Sequence, residues 1–209
     1  MVKRLFLLLS LFLFSCAPET QISSQSPIVT VYATPAAIPW LTELYACADG
    51  QSVVLNVTPN HPQIYLQVGV PANLVSPSYQ IDEEEILIVT HRESPVQNLT
   101  LTEAQALFAG AGDPSVQVWV YAAGEDVQIS FDQLVMNERS VSSSARVAAD
   151  PQEMSDTLNV EKNTVGILPR HWKAGDMREV YSAGTVPVLA IQTGEATQTI
   201  SSLLACLSK

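Results

Sequence analysis

Positive charge is scarce in this chain: ten Lys and Arg stand against twenty-one Asp and Glu, with three His, for a net charge of −11. A polyanion is held by clustered cations, and the most basic groups, His91-Arg92 and Arg170-His171-Trp172-Lys173, are small and far apart in sequence. Nucleic acid is therefore excluded as an expected partner. Cysteine and histidine are equally sparse, at three each. His61, His91 and His171 fall in different loops, none with a second ligand at metal-site spacing, so neither a metal nor a cofactor is expected. No Gly-x-Ser-x-Gly surrounds Ser142, Ser143 and Ser144, and no triad can be assembled, which argues against an enzyme. Apart from one run near the start, every apolar stretch is short and broken by Gly, Pro or polar residues, as in buried strands.

That one run is Leu5 to Phe14, preceded by Lys3 and Arg4 and followed by Ser15-Cys16. It is too short to span a bilayer and has the basic flank and small residue of an export signal covering residues 1–15. Leu13-Phe14-Ser15-Cys16 resembles the bacterial lipoprotein box, with Phe14 a departure from it. The resemblance implies diacylglycerol on Cys16 and an extracytoplasmic protein anchored to the cell membrane; otherwise Cys16 is an ordinary thiol after a soluble signal. Losing Lys3 and Arg4 leaves eight basic residues against twenty-one acidic ones, a net charge of −13. Residues 16–27, rich in Ser, Gln and Pro, read as a flexible tether.

Two further cysteines remain, Cys47 and Cys206, each following alanine in a helix-like segment. An exported compartment permits a disulfide between them, the expected state; the alternative is two buried free thiols.

Strand and helix patterns alternate along the remaining residues. Ile28 to Ala33 reads as a β-branched strand, and Thr34-Pro35 as a cap and first turn of a helix carrying Trp40, Leu44 and Tyr45 on an apolar side. Strands are expected at Val53–Val57, Ile64–Val70, Glu83–Thr90, Val116–Tyr121, Val141–Val147, Val165–Leu168 and Val186–Gln192. Helices are expected at Leu99–Phe108, after Gly124, at Pro151–Leu158 and at Glu195–Leu207. This alternation predicts α/β layers with largely parallel sheets. Trp40, Tyr45 and Trp119 are expected in the core, and Trp172 is the best candidate for a cleft or surface contact, with a packing role as the alternative. Asp82 to Glu85 read as a solvated strand start, because neighbours on a strand alternate faces and cannot converge on a cation.

The segment Ile86 to Gly110, with Leu99-Thr100-Leu101-Thr102-Glu103-Ala104-Gln105-Ala106-Leu107-Phe108-Ala109-Gly110, resembles the crossover of phosphate-type periplasmic substrate-binding proteins. Val116 to Ala122 before Gly124, Val141-Ser142-Ser143-Ser144, and Asn163-Thr164-Val165-Gly166-Ile167-Leu168-Pro169 follow in the family's order. The resemblance implies an α/β, two-lobed periplasmic-binding-protein-like fold with hinge strands between the lobes: residues 28–95 plus 179–209 in lobe 1, and 96–178 in lobe 2. It also implies solute delivery to an ABC permease, with a cleft formed by Thr34, Ala36, Gly124, Glu125, Ser142, Ser143 and Ser144. The alternative is a transport-deficient binding-fold lipoprotein acting as a sensor or envelope partner. Where phosphate-binding relatives carry Ser/Thr-rich loops and an Arg, this chain has Ala33-Thr34-Pro35-Ala36 and Ala123-Gly124-Glu125-Asp126. Pro35 lacks an N–H and the two carboxylates repel an oxyanion, so phosphate is not the expected ligand. Either Glu125 and Asp126 simply cap a helix beside an emptier or differently shaped pocket, or Glu125 faces the cleft and selects a neutral or cationic solute.

If Cys16 carries lipid, Cys16→Ser should leave the protein exported but move it from the detergent phase to the aqueous phase in a Triton X-114 partition. Aqueous behaviour of both proteins would sink the lipobox reading.

Overall fold

The structure is a computed structural model and describes residues 26–208; the signal, Cys16 and all but the last two residues of the tether lie outside that range. Strand β1 (Ile28–Ala33) buries alternate residues Val29, Val31 and Ala33. The Thr34 hydroxyl accepts from the Ala37 amide, opening a 3₁₀ turn (Pro35–Ala37) that runs into α1 (Ile38–Gly50). Strands β2 (Val54–Val57), β3 (Ile64–Val68) and β4 (Ser78–Thr90) follow. Thr100 and Glu103 form a capping box at α2 (Leu101–Ala106), which ends through a π-helical turn, Leu107–Ala111. After β5 (Gln117–Val120) come α3 (Asp126–Phe131), its π-helical extension Asp132–Met136, and the short β6 (Arg146–Val147). Asp150 caps α4 (Pro151–Val160). Strand β7 (Thr164–Pro169), the 3₁₀ turn Arg170–Trp172, β8 (Arg178–Gln192) and α5 (Gln198–Leu207) complete the order.

The strands form one sheet in the order β2-β1-β3-β8-β4-β7-β5-β6. Strands β4 and β8 pair antiparallel from Ser78–Ile191 to Thr90–Arg178. At one end of this ladder β3 joins β8 through Val188–Gln192; at the other, β7 joins β4 through Ile86–Thr90. The result is two α/β lobes joined by two long hinge strands, the fold class expected from the sequence. The expectation of largely parallel pairing requires correction. β1–β2, β1–β3, β5–β6 and β5–β7 are parallel, whereas β3–β8, β4–β7 and β4–β8 are antiparallel, because the strands that cross between lobes return in opposite directions.

Three local expectations also fail. The stretch Val141–Val147 is mostly loop, with only Arg146–Val147 paired to β5. Tyr45 is 46% exposed, since α1 turns Trp40, Leu44, Cys47 and Ala48 inward and leaves Tyr45 beside that face. Glu84 is fully buried rather than solvated: strand alternation sends it inward between Glu83 and Glu85. Its Oε1 accepts from the Glu85 amide and its Oε2 lies 2.7 Å from His171 Nδ1. Burial pushes the Glu84 carboxyl up, against the lowering contacts with His171.

Cys47 on α1 and Cys206 on α5 are joined by a disulfide across 159 residues of sequence. Closing so long a loop restricts the unfolded chain, and the double variant Cys47→Ala/Cys206→Ala is expected to lose on the order of 4–5 kcal/mol of stability in denaturant unfolding. Two alkylatable thiols in the untreated folded protein would refute the bond.

Candidate functional site

The β1-to-α1 turn and the β5-to-α3 turn face each other across a cavity of about 210 Å³ lined by Tyr32, Thr34, Pro35, Tyr65, Gln67, Gly124, Glu125 and Asp126. Strand periodicity supplies the floor. On β1 and β3, Val31, Ala33, Ile64, Leu66 and Val68 point into the core, which turns Tyr32, Tyr65 and Gln67 to the other face. Tyr32 and Tyr65 are paired in register, with ring centroids 5.5 Å apart.

Asp126 bridges the two walls. Its Oδ2 accepts from the Thr34 hydroxyl at 2.6 Å and from the Val68 amide at 3.0 Å, and its Oδ1 from the Val127 amide at 2.8 Å. Burial nevertheless outweighs these donors and pushes its carboxyl up. Close approach accompanies the bond: at Gly69, where φ is +77°, an added Cβ would lie 2.4 Å from Ser130 Oγ of α3. Trp172 adds a second tie between the lobes, its indole N–H donating to the Ala36 carbonyl at 3.0 Å.

Glu125 occupies the N-cap position of α3 but makes no side-chain cap bond. Burial, then the charge of Asp126, raises its carboxyl. The same two causes, with Tyr32 and Glu125 adding to Asp126, raise the Tyr65 phenol. Gln67 is 9% exposed, and among the described residues its side-chain amide has no hydrogen-bond partner. Among the described residues, no Lys, Arg or His lines the cavity.

Of the residues expected at a ligand site, Thr34, Gly124 and Glu125 are brought together here. Ala36 is buried, with its carbonyl turned to Trp172. Ser142, Ser143 and Ser144 are not among the lining residues: the Ser142 and Ser144 hydroxyls bond each other at 2.8 Å, and the Ser142 amide donates to the Phe108 carbonyl. Sequence reasoning missed Tyr32, Tyr65 and Gln67 as site residues. The signal was present as the polar and aromatic alternates of two otherwise apolar strands. Among the described residues no His/Cys/Asp/Glu cluster could hold a metal ion, and no helix is long and apolar enough to cross a membrane.

No family model and no curated protein matches the sequence. Solved structures do match in fold. A Clostridium perfringens protein assigned as a phosphate ABC transporter substrate-binding protein, solved with bound phosphate, superposes with a TM-score of 0.78 at 13% identity over 86% of this chain and 92% of its own. An ABC-type phosphate transport receptor from Vibrio cholerae gives 0.66 at 14%, over 87% and 93%. The reduced regulatory domain of OxyR2 from Vibrio vulnificus also gives 0.66, at 9% over 90% and 97%. The architecture is therefore that of two-lobed periplasmic binding proteins, shared by transport receptors and regulatory domains.

Because Asp126 binds its proton more tightly in the folded chain than in the unfolded one, its contribution to stability is greatest at low pH. That contribution is lost as pH rises from the unfolded value of about 3.9 through the raised folded value. Asp126→Asn should therefore gain on wild type in melting temperature as pH climbs through this window, and a difference that falls with pH would contradict the assignment. Thr34→Val, which removes both the cap and the donor to Asp126, should cost about 1–3 kcal/mol in denaturant unfolding.

Proposed function

We propose that this chain is an exported, lipid-anchored solute-binding protein that delivers a small molecule to an ABC permease. In this reading residues 28–95 plus 179–209 form lobe 1, residues 96–178 form lobe 2, and no chemistry takes place. The observation that carries it is the cavity between the Thr34–Pro35 turn and Gly124–Asp126, set at the junction of the two lobes in a fold shared with transport receptors. A second reading, a transport-deficient binding-fold lipoprotein acting as a sensor or envelope partner, draws on Asp126. Its carboxylate already takes the hydroxyl of Thr34 and the amide of Val68, donors that an incoming anion would need. The shared fold of the regulatory domain is compatible with it.

A thermal-shift screen of the purified protein against anions, amino acids, amines and sugars separates the two. A solute present at 100 times its dissociation constant stabilises by roughly 2.7 kcal/mol, so a transport ligand should raise the melting temperature visibly. A flat screen favours the second reading. Inorganic phosphate is expected to bind poorly, because the cavity offers two carboxylates and no cation. A micromolar dissociation constant for phosphate in isothermal titration would overturn that expectation.

A further inference from the structure

We infer that the cavity between the lobes takes a small organic ammonium ion, seated between the Glu125 carboxylate and the faces of Tyr32 and Tyr65 with the Gln67 side-chain oxygen as a second acceptor. This deepens the solute-binding reading and rests on it.

Four separate observations converge on that ligand class. Asp126 and Glu125 are adjacent in sequence but differently engaged: Asp126 is consumed by three donors, while Glu125 forms no cap bond and keeps its oxygens for a visitor. Gln67, nine-tenths buried, lines the cavity with an amide that no described residue satisfies. The Gln67 oxygen faces the cavity without a donor among the described residues, so a group that arrives with an N–H donor gains a hydrogen bond there. The neighbouring tyrosines offer two aromatic faces, which attract a cation and pack its carbon substituents. Finally, among the described residues the lining includes no basic side chain that would compete with a cation or receive an anion. The acidic excess of the whole chain adds a field that draws cations toward it.

Size sets a further limit. About 210 Å³ accommodates an ion of a few heavy atoms, and Tyr65 also borders an open groove of about 550 Å³ lined by Pro59 to Pro62, Thr193 and Gly194, which leaves room for a longer substituent.

Isothermal titration of the purified protein at pH 7 with n-propylammonium, n-propanol, propionate and inorganic phosphate isolates charge at nearly constant size in the first three probes. The n-propylammonium ion is expected to bind with a dissociation constant on the order of 0.1–1 mM, near the limit for so few atoms, and about tenfold or more tighter than n-propanol. Propionate and phosphate should give no binding heat. Glu125→Gln should weaken n-propylammonium about tenfold while leaving the melting temperature unchanged, and Tyr65→Leu should weaken it severalfold. Equal binding of n-propanol, tighter binding of either anion, or an unaltered affinity in Glu125→Gln would overturn the cation assignment and leave solute binding standing. If none of the four probes binds but the broad screen finds another ligand, the cation assignment alone fails; if both experiments are empty, the solute-binding reading fails with it.

Discussion

The antiparallel ladder between β4 and β8 is the constraint on which the rest of this molecule depends. Strands of 13 and 15 residues run side by side, and each lobe's remaining strands attach to only one end of them. Between those attachments, at Glu83 to Glu85 and Thr185 to Pro187, only two strands carry the sheet among the described residues. Register shifts at Gln80/Asp82 and Ile86/Leu87 flank this span, and Pro187 withholds one amide from it. Bulges bend and twist a ladder locally, so the narrow span is where the lobes can change their relative angle with the fewest hydrogen bonds disturbed. It also holds Glu84, whose burial is tolerable only because His171 and the Glu85 amide meet its oxygens.

Across the cleft beside this hinge, polar contacts add to the shared apolar core. Asp126 reaches Thr34 and Val68, and Trp172 reaches Ala36. The Asp126 carboxylate thus takes the Thr34 hydroxyl and the Val68 amide from the opposite side of the cleft. Those two donors are therefore already occupied, and a carboxylate at this position is repulsive to an oxyanion.

Much of this was legible in the sequence, and the residues show why. The strand–turn–helix at Ile28 to Trp40 was readable because β-branching, a threonine cap and proline at the first position agree with one another. The likeness of residues 86–110 to a hinge and crossover carried the fold class. Long-range geometry was less accessible. The first half of β8, Arg178 to Thr185, has too few consecutive apolar residues to announce a strand, and it forms one because β4 supplies a partner along its whole length. Glu84 looked solvated because a run of four acids normally is, and only the tertiary placement of His171 reveals a buried site. Ser142 to Ser144 matched the family's order yet are not among the cavity's lining residues, and the hydroxyls of Ser142 and Ser144 bond each other, since local composition does not specify which way a loop turns.

The same distinction explains why the site's chemistry depends on so few positions. Glu125 and Asp126 share a turn and a charge, but the backbone points Asp126 at the opposite wall and leaves Glu125 at the rim. Two adjacent acids in unlike surroundings acquire unlike tasks, one structural and one available for binding. In the phosphate-type pattern, hydroxyl and amide donors at this turn would converge on an anion; here the turn supplies acceptors, and Tyr32, Tyr65 and Gln67 complete a surface that contains no positive charge. Under the proposed cation binding, ligand class would reverse in sign while the sheet order, the hinge strands and the core beneath them remain those of the common fold.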